Sequence, residues 1–137
     1  MDVKKMDVNT MTGAMLAFVG DAYYSLKVRE MLMQRGINKS EKFHRMAIFY
    51  VSANAQAMIL DKFLEKDFLS TIELDIVRRG RNVKSNTTPK KTTHAVYSKS
   101  TAFEALIGYL YLNNELDRLD EIMTCCFVYR QEDETNG

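Results

Sequence analysis

Two acids stand in unusually apolar company. From Met11 to Leu26 the only charged residue is Asp21, and from Ser100 to Asn114 the only one is Glu104. Asp21 lies in Ala17-Phe18-Val19-Gly20-Asp21-Ala22-Tyr23-Tyr24, and Glu104 in Phe103-Glu104-Ala105-Leu106-Ile107-Gly108. Both windows read as the middle of a core helix. A carboxylate buried there without a partner costs several kcal/mol or gives up its charge. Each acid is therefore expected to have a cation, a hydrogen-bond network or a metal. Gly20 precedes Asp21, and Gly108 follows Glu104 by one turn. Glycine inside a helix costs about 1 kcal/mol against alanine, and close approach of two backbones is a common reason for it. If the two helices cross at these glycines, the carboxylates converge. Such a pair, with no Arg or Lys nearby in sequence, suits a hard divalent cation such as Mg²⁺. The plainer alternative is that each acid pairs with a basic side chain from elsewhere. Two acids in the same setting favour function, because perturbed carboxylates cluster at functional sites.

Charge is unevenly spread. The net charge is only +1, yet no acidic residue occurs from Ile76 to Phe103. That stretch carries Arg78, Arg79, Arg81, Lys84, Lys90, Lys91 and Lys99, which leaves 12 basic and 18 acidic residues elsewhere. A basic segment on an acidic body fits a polyanion, and its interleaved Ser, Thr and Asn are phosphate hydrogen-bonders. It ends just before the helix of Glu104, so the substrate charge and the candidate metal site are neighbours. A solvated loop is the plainer reading of the basic run taken alone.

The elements that must position these residues are helices. Residues 10 to 35 form one, capped by Asn9 or Thr10 and stopped by Gly36. Met11, Met15, Phe18, Ala22 and Leu26 give it an apolar face at helical spacing. A second helix runs from Ser40 to about Leu64. Ser70-Thr71-Ile72-Glu73 has the form of a capping box and opens a third. Residues 82 to 97 form a loop holding the only proline, Pro89. Helix returns from Ser98 or Ser100 to Asn114, and a last one spans Glu115 to Tyr129. The tail, with Glu132, Asp133 and Glu134, is expected to fray. No segment alternates as a strand would, so the class is all-α.

The 137 residues make one domain, with a core over about residues 8–128. The N-terminus has no signal-peptide pattern, and no apolar run reaches the ~20 residues of a membrane span. Both point to the cytoplasm and to no membrane partner. Cys125 and Cys126 are adjacent and read as reduced thiols. His44 reads as a surface or capping residue, whereas His94 lies in the basic loop, where it can touch a bound polyanion. Tyr23, Tyr24, Tyr109 and Tyr111 read as core or dimer contacts.

Gly20-Asp21-Ala22 with Tyr24 resembles the signature helix of ribonuclease III nuclease domains. Phe103-Glu104-Ala105-Leu106-Ile107-Gly108-Tyr109-Leu110-Tyr111-Leu112 resembles the second carboxylate helix of that fold. Three further stretches are similar to the mini-ribonuclease III branch: Tyr50-Val51-Ser52-Ala53 with Ala55-Gln56-Ala57, Arg78-Arg79-Gly80-Arg81-Asn82 with Lys84-Ser85, and Ser100-Thr101 leading into Phe103-Glu104. The resemblance implies an all-helical, dimeric endoribonuclease domain that cuts double-stranded RNA with Mg²⁺ and matures precursor 23S ribosomal RNA in bacteria. It makes Asp21 and Glu104 the catalytic, metal-binding acids. The chain departs from full-length ribonuclease III, which carries acids where Ala14, Ala17 and Thr101 stand here. Either Asn54 or Gln56 stands where larger relatives have another carboxylate. The missing acids are what favours the alternative, a non-catalytic double-stranded-RNA-binding module of the same fold. A helical interaction protein with an incidental basic loop is a second alternative.

Overall fold

The structure, a computed structural model, describes residues 7–84 and 92–136. All regular structure among them is helical. A 3-10 turn at Val8–Thr10 leads to α1 (Gly13–Gln34), α2 (Ser40–Val51), α3 (Ala53–Glu65), α4 (Thr71–Arg81), α5 (His94–Leu112) and α6 (Leu116–Asn136). None of these helices is long and apolar enough to cross a membrane.

The fold is arranged around α5, which packs on α1, α4 and α3 and is buried from Ala102 to Leu110 except at Glu104. Its contact with α1 is backbone on backbone. A Cβ on Gly20 would overlap the carbonyl oxygen of Glu104, and one on Gly108 would overlap that of Leu16. The predicted crossing at these two glycines is therefore present. On the other side of α5, a Cβ on Gly80 of α4 would come within 2.7 Å of the Ala102 Cα.

Local signals account for several boundaries. The capping box is formed: Ser70 Oγ accepts from Glu73 N at 3.2 Å, and Glu73 accepts from Ser70 N at 2.8 Å. Buried Glu73 is also clamped by Arg118 of α6 at 2.8 and 2.9 Å. Gly36, at φ +83°, ends α1 as expected. The start of α1 is capped by Thr12 rather than by Asn9 or Thr10.

Four further expectations are corrected. The helix predicted from Ser40 to Leu64 is two helices, because Ser52 turns extended and caps α3 through Ala55 N. The carbonyls freed at that break are taken by side chains, two of them from far along the chain. Arg130 donates to Phe49 O at 2.7 and 3.1 Å, Tyr24 to Tyr50 O at 2.9 Å, and Gln56 to Val51 O at 3.1 Å. Buried carbonyls need donors, and these supply them. Second, the apolar stripe of α1 faces outward. Met11 is buried, but Met15, Phe18, Ala22 and Leu26 are exposed, Phe18 by 82%. The core face is instead Leu16, Ala17, Gly20, Tyr24, Val28 and Leu32. Third, α5 begins at His94, earlier than predicted, because Thr93 Oγ1 caps Val96 N. Fourth, the acidic tail is helical, since Glu134 is held by Arg35 and the Tyr50 hydroxyl and Asp133 by Arg130.

Alanine at Gly20 or Gly108 tests the crossing. Helix propensity alone favours alanine by about 1 kcal/mol. The backbone overlap outweighs this, so each variant is expected to lose about 2–3 kcal/mol or more in urea unfolding. A neutral or stabilising result contradicts the crossing.

Candidate active site

The glycine crossing sets the site. Because Gly20 lies on the Glu104 carbonyl, the next residue on α1, Asp21, emerges beside the Glu104 side chain. The two carboxyl groups lie close enough to interact by hydrogen bonding and by charge. Their environments differ from the sequence expectation. Asp21 is exposed, and Glu104 is mostly but not wholly covered. Asp21 stands at the edge of the outward apolar stripe, so its apolar neighbours in sequence do not enclose it.

Burial, and then the hydrogen bond and charge of Asp21, push the Glu104 carboxyl up to about 9, while Gln56 acts in the opposite direction. Near neutral pH, without a cation, Glu104 therefore holds its proton.

Two cavities flank Glu104. One, of about 370 Å³, is lined by Ser52, Asn54, Gln56, Thr92, Tyr97 and Ser100 together with Glu104. Among the described residues no Lys, Arg or His borders it. Gln56 is buried and reaches Glu104, whereas Asn54 is exposed. Of the two amides left open by the sequence, Gln56 is the one beside the carboxylates. The second cavity, of about 360 Å³, is lined by Ala14, Ala17, Thr101, Lys84, His94 and Glu104. The three places where the resemblance leads one to expect extra acids thus meet at one wall, and that wall is uncharged.

Among the described residues no group of three or more His, Cys, Asp or Glu side chains could hold a metal. The oxygen donors that come together here are the two carboxyl groups, while the buried amide oxygen of Gln56 has no hydrogen-bond partner. Hard oxygen donors with two negative charges fit Mg²⁺.

The seven basic residues are unequally free. Arg81 and Lys84 are exposed and make no ion pair among the described residues. Arg78 pairs with Asp75 at 2.6 Å, but both are well exposed, and such a pair is weak. Arg79 is half-buried and donates to the Met11 carbonyl. Lys99 pairs with Asp61 of α3 at 3.0 Å. Lys90 and Lys91 lie outside the described residues. A third cavity, of about 600 Å³, brings Arg78 and Arg81 to the start of α5 at His94. The cation ridge thus runs from the end of α4 to the cavity at Glu104. His44 is exposed, Cys125 and Cys126 are free thiols, and Tyr24 and Tyr109 are core residues. Sequence reading missed Ser52, although a serine three residues ahead of Ala55 inside an apolar run is a recognisable cap.

The raised Glu104 has a consequence for stability. Its folded value lies above the ordinary carboxylate range, so the metal-free fold binds more protons than the unfolded chain. Stability is then greatest below about pH 4.5 as far as this group is concerned, and is lost as pH rises toward about 9. In EDTA at pH 8, Glu104→Gln is expected to raise stability by about 1–2 kcal/mol, which thermal melting reads as a shift of several degrees. A variant that melts at or below the parent temperature contradicts the burial of this acid.

Comparison with known proteins gives the family. The family model for the ribonuclease III domain matches residues 14–115. The mini-ribonuclease 3 of Streptococcus pneumoniae is 42% identical over 88% of this chain and 94% of its own length. That of Symbiobacterium thermophilum is 47% identical over 79% and 82%, and that of Enterococcus faecalis 39% identical over 95% and 97%. A crystal structure of a Fusobacterium nucleatum protein superimposes with a TM-score of 0.78 at 29% identity, covering 87% of this chain and 95% of that one. With its fold, its paired acids and relatives matched over nearly their whole lengths, the chain belongs to the ribonuclease III family, in its mini-ribonuclease 3 branch.

Proposed function

We propose that this protein is a Mg²⁺-dependent endoribonuclease that cleaves double-stranded RNA as a homodimer. Its cellular role would be to mature the ends of precursor 23S ribosomal RNA in the bacterial cytoplasm. The observation that carries the enzymatic reading is the convergence of Asp21 and Glu104 beside a ridge of free cations. The ribosomal assignment and the cellular compartment rest on the resemblance and on the mini-ribonuclease 3 relatives.

Asp21 and Glu104 would hold the cation, with Gln56 alongside. Bound Mg²⁺ supplies a water of lowered pKa and neutralises charge on the phosphate. The remaining work belongs to the protein. Glu104, which holds its proton near neutral pH without a cation, would serve as a ligand in its ionised form. Arg81 and Lys84, with Arg78, face the phosphates. Lys84 shares a cavity with Glu104 and so anchors RNA nearest the chemistry. Arg79 and Lys99 steady that ridge from within through Met11 and Asp61. A duplex met in this way is read by backbone shape across its shallow minor groove, and its binding weakens steeply with salt.

The outward stripe of α1 supports dimerisation. Met15, Phe18, Ala22 and Leu26 form one exposed apolar face on the helix that carries Asp21. An exposed apolar patch of this kind marks an interaction surface. A second copy placed on it would set two sites side by side, one for each strand of the duplex.

Two measurements test this reading. Asp21→Asn is expected to reduce Mg²⁺-dependent cleavage of a duplex RNA by about 100-fold or more, while the gel shift of that duplex in EDTA is kept. Unchanged cleavage rejects Asp21. If the parent protein shifts the duplex and never cuts it in Mg²⁺, the chain is a binding module. Separately, Phe18→Glu is expected to convert the dimer to a monomer in sedimentation at micromolar concentration, with the helical circular dichroism retained. A dimer that survives Phe18→Glu places the interface elsewhere.

A further inference from the structure

Free cations also stand outside the basic segment. From Asn38 to Val51 the chain sets Lys39, Lys42 and Arg45 against a single acid, Glu41, and all four side chains are exposed. Lys42 and Arg45 make no ion pair among the described residues. Together they border a groove of about 350 Å³ shared with Met46 and Phe49. The carboxylate on that groove, Glu134, is committed to Arg35 at 3.2 and 3.3 Å and to the Tyr50 hydroxyl.

Helical geometry connects this pair of cations to the candidate active site. Ser52, which ends α2, lines the cavity at Glu104. Arg45 lies seven residues before Ser52, which is two turns and about 10 Å along the axis, and so on the same face of α2. Ile48, exposed between them, places no charge on that path. Lys42 stands about one turn farther out than Arg45. The exposed side of α2 thus leads from two free cations to Glu104. It arrives at the cavity that Lys84 does not border.

We propose that Lys42 and Arg45 form a second contact for the RNA backbone, on the Ser52 side of Glu104. This rests on the RNA-cleaving reading above. Continuity with the Glu104 cavity selects the duplex as the occupant, because a polyanion gripped at Lys84 and presented to Glu104 continues past it toward Ser52. A duplex held only by Arg78, Arg81 and Lys84 is held on one side of the carboxylates and can pivot there. A contact on the other side fixes its axis, and with it the phosphate that meets Asp21 and Glu104. Each cation that neutralises a phosphate also releases counterions, so the contact has a signature in salt dependence.

The test is binding of the full-length protein to a duplex RNA in EDTA, measured by fluorescence anisotropy over a range of salt. The parent is compared with Lys42→Gln, Arg45→Gln, Arg81→Gln and Lys66→Gln. Lys66 is exposed at the end of α3 away from Ser52, so its variant makes the same change in net charge at a distance. Lys42→Gln and Arg45→Gln are each expected to weaken binding by about three- to ten-fold at low salt and to lower the salt slope by about one. Lys66→Gln is expected to stay within about two-fold of the parent. An Arg45→Gln protein with unchanged affinity and slope overturns the proposal. So does an equal loss in Lys66→Gln, which would make the effect one of net charge. If Arg81→Gln loses affinity and the two α2 variants keep it, only the α2 contact falls. A parent that binds no duplex even at low salt removes the RNA reading and this proposal with it. Should Arg45→Gln not fold, Lys42→Gln decides by the same comparison.

Discussion

The contact of Gly20 and Gly108 governs the rest of the molecule. Two helices normally hold their axes 8–10 Å apart because side chains stand between them. Here two missing side chains let the backbones of α1 and α5 meet, with Gly20 on the Glu104 carbonyl and Gly108 on that of Leu16. The acids adjoin the contact, and that is why they meet. Neither glycine is a good helix residue, so the chain gives up propensity in its two central helices to hold this separation. The burial of α5 on α1, α3 and α4 repays it. Structural and chemical demands thus fall on the same few atoms. A change that pushes α1 away from α5 removes the site without touching either carboxylate.

Helix α1 is asked to do two things, and its sequence is apolar on both sides. Leu16, Gly20, Tyr24 and Val28 face the core, whereas Met15, Phe18, Ala22 and Leu26 face out. Each stripe has helical spacing, so periodicity alone identifies a helix with an interface and does not say which stripe is the core. That is why the outward stripe reads as the core face in sequence, and why Asp21 reads as buried. The features that were legible depend on nearby residues: the glycine-flanked acids, the Ser70–Glu73 capping box and the stop at Gly36. Those that were not depend on partners far along the chain. The break at Ser52 is sustained by Tyr24 and Arg130, and the helical tail by Arg35 and Tyr50. The cap at Ser52 is local, but no window around residue 52 shows Tyr24 or Arg130, and none around residue 134 shows Arg35 or Tyr50.

The break at Ser52 also links the core to the chemistry. Three carbonyls at the end of α2 need donors, and the three that arrive come from α1, α3 and α6. One of these donors is Gln56. Its commitment to Val51 aims the rest of the amide, so a backbone irregularity between two helices fixes a polar group beside Glu104. Had α2 run on into α3 without a break, the Val51 carbonyl would have bonded within the helix and Gln56 would have had no reason to be held.

Charge at the site is sparse, and its placement follows from that. Ala14, Ala17 and Thr101 leave one wall of Glu104 without acids, and Lys84 with His94 occupies the same cavity. An ammonium group there disfavours a second dication on that side and favours a phosphate. The opposite side of Glu104 is lined by polar oxygens, with no cationic side chain among the described residues. A single carboxylate therefore divides a region that attracts anions from one that attracts cations. A phosphodiester under attack needs both, one to hold its negative charge and one to deliver water. In the proposed site only two acids serve the cation, and neither has an acidic neighbour among the described residues that could take over its charge. The tolerance for loss is accordingly lower here than in a site ringed by four or more carboxylates.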